Sequence, residues 1–388
     1  MHIMISCGEA SGDLYGGALA AELGRLDPNL RITGLGGDRL RVQGANQLDY
    51  RGLSVTGLSE ALAVLPRSWR TLRRLVATAT ADRPDVFVAI DFPDFNFRLA
   101  SAMKRLNVPI VYYVGPQIWA WRSGRLSVIK RLVDRMLVIF PFEEALYRDA
   151  GVPVEFVGHP LVELTPVGAS PADLRARLGV AGQGPVVGLL PGSRTNEVRA
   201  ILPGLYGAAR LIAREIPAVR FVVARAPGLS SMLFDDPHGH SSGPPPTVVE
   251  GRADDVLGAS DVVLTASGTA TVQAALHGRP MVIVYRLTPL TYRLGRPFVR
   301  VKTYGMVNLI AGETVVPELI QDDFTPETVA REAIALLTDE ARAERVRQDL
   351  ARVRTRLGAP GASRRAAEAV IRTAQDKARA VASVMSRG

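Results

Sequence analysis

Cysteine is the scarcest residue: one, Cys7, in 388 positions. A single thiol excludes an internal disulfide framework and any metal site built on several cysteines. Long apolar runs are missing too, since stretches such as 86–90 and 136–140 fall far short of the ~20 residues that span a bilayer. No repeat recurs at the periods of solenoid proteins. No basic segment followed by a long apolar stretch opens the chain, so no signal peptide is expected and the protein is expected in the cytoplasm.

What is present describes a globular chain, with 47% hydrophobic and 22% charged residues and too much length for one small core. Lys and Arg outnumber Asp and Glu by 47 to 38, a formal charge of +9. Such a balance attracts phosphates, whether of nucleic acid, anionic lipid or a phosphorylated substrate, and does not choose among them.

Short runs rich in Val and Ile recur at residues 2–6, 31–35, 85–90, 109–114, 135–140 and 154–157, with helical segments between them. They are continuous rather than alternating, as parallel strands covered on both faces are. A second series follows at 186–190, 220–223, 247–249, 261–265 and 281–285. The expected fold class is α/β, two Rossmann-like doubly wound parallel-sheet domains facing a cleft. Residues 1–165 make the first domain, 166–184 a linker rich in Pro, Gly and Ala, and 185–355 the second domain. A long loop is expected over 227–246, and a helical tail from Thr325 is broken once, at Gly358-Ala359-Pro360.

Four strand-end motifs carry the chemistry. The first, Gly8-Glu9-Ala10-Ser11-Gly12-Asp13, joins the first strand to a helix. Its glycines let the backbone approach a ligand, but its acids argue against a plain phosphate cradle, and the alternative is a helix cap by Ser11 or Asp13. The second, Ile90-Asp91-Phe92-Pro93-Asp94-Phe95-Asn96, ends a buried strand where open α/β sheets bind ligands. Asp91 is the better candidate for a general base, and Asp94 or Asn96 is the candidate helix cap. The third, Pro191-Gly192-Ser193-Arg194, offers backbone N–H groups and a guanidinium that can grip a diphosphate; a surface pair with Glu197 is the alternative. The fourth, Ser267-Gly268-Thr269, opens a helix and suits a phosphate oxygen, unless Ser267 or Thr269 simply caps it.

Two runs mix basic and apolar residues. Arg67, Arg70, Arg73 and Arg74 alternate with Leu65, Trp69, Leu72 and Val76 at helical spacing, and Arg293 and Arg296 lie among Tyr292, Leu294 and Phe298. Each reads either as a surface for an anionic bilayer or as an ordinary amphipathic helix. Trp119 and Trp121, beside Arg122, either line a sugar or acyl pocket or simply pack. His159 and His277 have no metal-like companions and read as structural or cleft residues.

The ordered set of these motifs, with Trp119-Ala120-Trp121-Arg122, Phe140-Pro141-Phe142-Glu143 and Asn308-Leu309-Ile310-Ala311-Gly312, resembles the lipid-A-disaccharide synthases over roughly residues 1–335. The resemblance implies a GT-B fold and an inverting transfer that uses no metal and no cofactor. Its donor would be UDP-2,3-diacylglucosamine and its acceptor 2,3-diacylglucosamine 1-phosphate (lipid X). Asp91 matches the family's essential aspartate and Arg194 its essential arginine. Glu9 and Ser11 match first-loop positions facing acceptor or transferred sugar, with Asp94, Asn96, Trp119, Trp121, Arg122 and the basic runs as acceptor or lipid contacts. Gly192, Ser193, Ser267, Gly268, Thr269, Gln273 and Asn308 fall to UDP. By analogy with GT-B enzymes, residues 356–388 form a last helix that packs back on the first domain.

Gln273 departs from the family, which often has Glu there to meet the ribose hydroxyls; Gly115-Pro116-Gln117 replaces the usual Ser-Pro-Ser. The expected setting is the cytoplasmic face of the inner membrane, with peripheral attachment, no nucleic acid, and homodimer formation left open. Two other readings stand beside this one: a different UDP-sugar enzyme of the same fold, such as a UDP-N-acetylglucosamine 2-epimerase, and a non-catalytic basic protein that binds membrane or nucleic acid.

Overall fold

A computed structural model describes residues 1–51, 58–118, 124–236, 245–287 and 303–385. The chain divides into two compact units, Met1–Pro160 with Leu357–Gly388, and Leu161–Arg356.

The first unit is built on seven strands: β1 (His2–Cys7), β2 (Arg31–Gly36), β3 (Asn46–Asp49), β4 (Val86–Ile90), β5 (Ile110–Tyr113), β6 (Arg135–Val138) and β7 (Val154–Phe156). Their order is β3-β2-β1-β4-β5-β6-β7, and every neighbouring pair is parallel. All residues of β1 and β4 are buried, which explains why their sequences run apolar without alternation. Leu99 and Met103 of the helix Pro93–Arg105 join Phe87 and Ala89 in the core. Leu99, Met103 and Phe87, all fully buried, each stabilise the fold by about 1.5–3 kcal/mol. Cys7 stands opposite Ile90, so β1 and β4 end at the same level, and the chain order reverses between them. That reversal is where doubly wound sheets bind ligands.

The helix Ala362–Met385 belongs to this unit and packs on Ala10–Leu26. Arg372 pairs with Glu155 at 2.9 Å, and Arg365 Nε donates to the Val157 carbonyl at 2.8 Å. Beside this junction His159 is buried between Phe140 and Tyr15, with ring centroids 5.4 and 6.0 Å away.

Burial holds the His159 imidazole down to about 3. Between that value and the unfolded value of about 6.5 the unfolded chain binds a proton that the native state does not. Stability from this group is therefore complete above pH ~6.5 and declines as pH falls toward 3. Denaturant titrations at pH 7 and pH 5 should show His159→Phe losing less stability across that interval than the unaltered chain, by about 1–2 kcal/mol. Equal losses would mean that another group sets the acid limit.

The second unit carries β8 (Val186–Leu190), β9 (Arg220–Arg225), β10 (Thr247–Glu250), β11 (Val262–Ala266), β12 (Met281–Tyr285) and β13 (Glu318–Ile320) in the order β10-β9-β8-β11-β12-β13, again all parallel. Its order reverses between β8 and β11. Two α/β units of this topology are the GT-B architecture. No described helix is long and apolar enough to cross a membrane.

Several elements differ from expectation. β3 and β13 are edge strands, short and only partly buried, so neither shows an apolar run. The segment 166–184 carries a helix, Pro171–Arg177, whose Leu174 is buried and whose Arg175 bonds the Ala259 carbonyl and Asp261, both at or below 2.8 Å. It is packed into the second unit rather than spanning open space. The tail breaks twice: besides residues 357–361, Asp339 accepts from Arg342 N at 2.9 Å and so caps a new helix, Glu340–Arg356. Of the loop expected at 227–246, Ser231–Phe234 forms a 3₁₀ turn, and residues 237–244 lie outside the described residues.

Candidate active site

At the end of β4 the backbone is strained. Asp91 and Phe92 both adopt left-handed conformations, with φ of 45° and 48°, and Val114 beyond β5 has φ 58°. Such values cost energy for residues with a Cβ, most of all for a β-branched one, and strain of this kind gathers at functional sites. Surrounding bonds hold it in place. Asp91 N reaches the Tyr113 and Val114 carbonyls at 3.3 and 3.2 Å, while the Asp91 carbonyl accepts from the Tyr112 hydroxyl and the Asn96 amide, each at 2.8 Å. Burial, with the Asp91 charge next, pushes the Tyr112 phenol well above its usual range and keeps it a donor. The Asp91 side chain is left half-buried at the sheet edge.

The neighbouring β1 turn is fitted to this one. A Cβ on Gly8 would meet the Phe92 ring at 2.2 Å, so only glycine lets the two turns touch. Glu9 is the N-cap residue of Ala10–Leu26, without a side-chain cap bond, and Glu9 and Ser11 are both partly exposed beside the Asp91 turn. Neither Ser11 nor Asp13 caps this helix. Asp13 is buried and accepts from Gly37 N, Arg39 N and Leu40 N at 2.7–3.2 Å, so it caps the short helix Asp38–Arg41 instead.

Asn96, expected as an acceptor contact, is turned into the fold. It is fully buried; its Nδ2 donates to the Ser6, Ile90 and Asp91 carbonyls, and its Oδ1 accepts from Ser6 Oγ at 2.7 Å. Both ends of the amide are used in clamping β1 to the β4 turn. The helix cap is Phe92 rather than Asp94 or Asn96. Asp94 is exposed and ion-paired with Arg125, whose side chain is mostly covered.

In the second unit Gly192 adopts φ 121°, and a Cβ there would lie 2.6 Å from Glu197 Oε2. The Glu197 carboxylate accepts from Ser193 N at 3.2 Å and from Arg194 Nη1 at 2.9 Å. The Arg194–Glu197 pair is thus present, with Arg194 still 36% exposed. Burial first and Glu197 second push the phenol of nearby Tyr285 upward. After β11, Gly268 is the N-cap of the helix Thr269–Leu276 and supplies no side chain, so neither Ser267 nor Thr269 acts as an ordinary cap. Ser267 Oγ donates to the Tyr304 carbonyl at 3.2 Å, and Thr269 is exposed. A helix start of this kind can receive an anion.

Asn308, expected as a UDP contact, has its amide bonded inside the second unit. It is buried; Nδ2 donates to the Val316 carbonyl and Glu318 at 2.9 and 2.7 Å, and Oδ1 accepts from Val315 N and Val316 N. It ties the helix Met306–Ala311 to β13. Gln273 is half-buried and donates to Asp254 at 3.1 Å. Tyr112 and Asp254 escaped the sequence reading, the first because a strand tyrosine carries no motif, the second because only folding brings it to Gln273.

Arg67, Arg70, Arg73 and Arg74 are exposed on the helix Leu58–Ala81. The apolar stripe is split: Leu72 and Val76 pack on the core, while Leu65 and Trp69 are 41% and 51% exposed. An open groove of about 520 Å³ runs here, lined by Trp69, Leu72, Arg73, Val76, Arg98 and Arg105. Trp119, Trp121, Arg122, Arg293 and Arg296 lie outside the described residues.

Comparison with known proteins places the chain. The family model for lipid-A-disaccharide synthetase matches residues 3–372. Lipid-A-disaccharide synthase from Myxococcus xanthus is 45% identical over 370 residues, covering 95% of this chain and 96% of that one. Those of Geobacter metallireducens (43%, covering 95% and 96%) and Koribacter versatilis (42%, covering 97% and 100%) are similar. Among solved structures, a UDP-GlcNAc 2-epimerase from Neisseria meningitidis bound to UDP-GlcNAc superposes with a TM-score of 0.68 at 12% identity, over 96% of this chain and all of that one. A glycotransferase of kitacinnamycin gives 0.61 at 18%, over 96% and 98%. The structural neighbours share the fold alone, whereas the sequence relation spans residues 3–372 and nearly the whole of its relatives, and on that ground the chain belongs to the lipid-A-disaccharide synthase family.

Proposed function

We propose that this chain transfers 2,3-diacylglucosamine from its UDP derivative to 2,3-diacylglucosamine 1-phosphate, giving the β-1,6-linked disaccharide 1-phosphate and UDP. The whole-length family relation carries this reading, and the strand-end positions of the groups named below support the roles proposed for them. Asp91 takes the proton from the acceptor's primary hydroxyl as that oxygen attacks the donor's anomeric carbon. The new C–O bond forms as the bond to the UDP oxygen breaks, with inversion. Arg194 and the N–H groups at Gly268 and Thr269 receive the charge that develops on the leaving diphosphate. Glu9 and Ser11 orient the acceptor or the transferred sugar.

UDP release, followed with the acylated donor alone and then with the acceptor added, tests this. Release that depends on the acceptor is expected. Conversion of a UDP-sugar without any acceptor would instead favour an epimerase, which shares the fold.

The substrates' acyl chains require access to a bilayer. We infer that the face bearing Leu65, Trp69 and Arg67, Arg70, Arg73 and Arg74 rests on anionic lipid at the cytoplasmic side of the inner membrane. Exposed apolar side chains among exposed guanidinium groups favour that surface, at about 1 kcal/mol per basic residue. Replacing the four arginines by Glu should abolish cosedimentation with phosphatidylglycerol vesicles at low salt. Unchanged cosedimentation would sink the inference.

A further inference from the structure

Asp254, Gln273 and His277 form a cluster in the second unit that the transfer chemistry leaves unused. Gln273 Nε2 donates to Asp254 Oδ1 at 3.1 Å, and His277 Nε2 lies 3.3 Å from the same oxygen. The His277 side chain is 6% exposed and Asp254 30%. Both bonds fall on Oδ1, and none of the described residues donates to Oδ2. One carboxylate oxygen is therefore fixed by two neighbours while the other is left as an acceptor.

The position of the cluster gives that oxygen a task. Gln273 follows Thr269 by four residues in one helix. It therefore lies on the same face, about 6 Å along the axis. A nucleoside diphosphate whose phosphates meet the helix start at Gly268 and Thr269 brings its ribose about one helical turn away. Ribose offers two adjacent hydroxyl donors, and a carboxylate accepts from them more strongly than an amide does. We propose that Asp254, held by Gln273 and His277, accepts hydrogen bonds from the 2′- and 3′-hydroxyls of the bound nucleotide. This rests on the reading of residues 267–269 as the diphosphate site. It gives the ribose contact to a helix, Ala253–Ala259, that follows a different strand from the phosphate motif. The competing account is that the cluster only ties those two helices together.

Calorimetric titration of UDP and of its 2′,3′-dideoxy analogue separates the two. The unaltered chain should bind UDP more tightly than the analogue by about 10- to 100-fold, the worth of a charge-assisted pair of bonds. Asp254→Asn and Asp254→Ala should weaken UDP toward the analogue's affinity and leave the analogue unchanged. Adding Gln273→Glu to Asp254→Ala, which returns a carboxylate to the same spot, should restore most of the preference. Full discrimination in both Asp254 variants would overturn the proposal, as would an equal loss for both nucleotides, which marks a structural tie. If the unaltered chain bound neither nucleotide, the diphosphate reading itself would fall.

Discussion

Asp91→Asn is expected to lower disaccharide formation by roughly 10²- to 10⁴-fold, the usual worth of a positioned general base. UDP affinity should be unchanged. The substitution is nearly isosteric, and Asn tolerates the left-handed backbone at φ 45° better than most residues. The bonds from Tyr112 and Asn96 that hold the turn go to the Asp91 carbonyl and survive the change. The negative charge and the ability to take a proton are removed together. Turnover measured with saturating donor and acceptor decides the matter, and near-normal turnover would remove Asp91 as the base.

Arg194→Ala should reduce kcat/KM by about 10²- to 10³-fold, as loss of a donor to developing negative charge does elsewhere. The effect has two sources. The guanidinium is lost, and the Glu197 carboxylate it pairs with at 2.9 Å loses that cation beside the proposed diphosphate site. Arg194→Lys should recover only part of the loss, because an ammonium cannot make the paired bonds. Product inhibition by UDP should weaken in parallel. Unchanged kcat/KM in the alanine variant would place the diphosphate elsewhere.

The sheet centres were legible because burial on both faces demands uninterrupted apolar runs, and β4 and β12 illustrate this. Edge strands escape that rule. Asn46–Asp49 is polar because it is only partly covered. Strand-end motifs located the candidate site, since chain reversal at β1/β4 and β8/β11 puts those turns at the two switch points. They did not show which way a side chain turns. Asn96 and Asn308 have the types and positions expected of ligand contacts, yet each spends both ends of its amide inside the fold. The left-handed backbone at Asp91 and Phe92 is likewise invisible in sequence, because neither residue is glycine. Tertiary bonds impose it.

Charge shows the same division. The excess of basic residues is plain from composition, but its use is not. Arg125 pairs with Asp94 and Arg175 anchors Asp261, whereas Arg73 lies over Trp69, 5.8 Å from the ring centroid, beside an open groove. Only the last arrangement offers a cation to an outside partner.

The central claim is a direct transfer of an acylated sugar between two lipid substrates. Mass spectrometry and proton NMR of the product from UDP-2,3-diacylglucosamine and 2,3-diacylglucosamine 1-phosphate test it most directly. The account predicts a tetraacylated β-1,6-linked disaccharide 1-phosphate, formed in step with UDP and absent with unacylated sugars. An α-linkage, or activity confined to the unacylated pair, would contradict it.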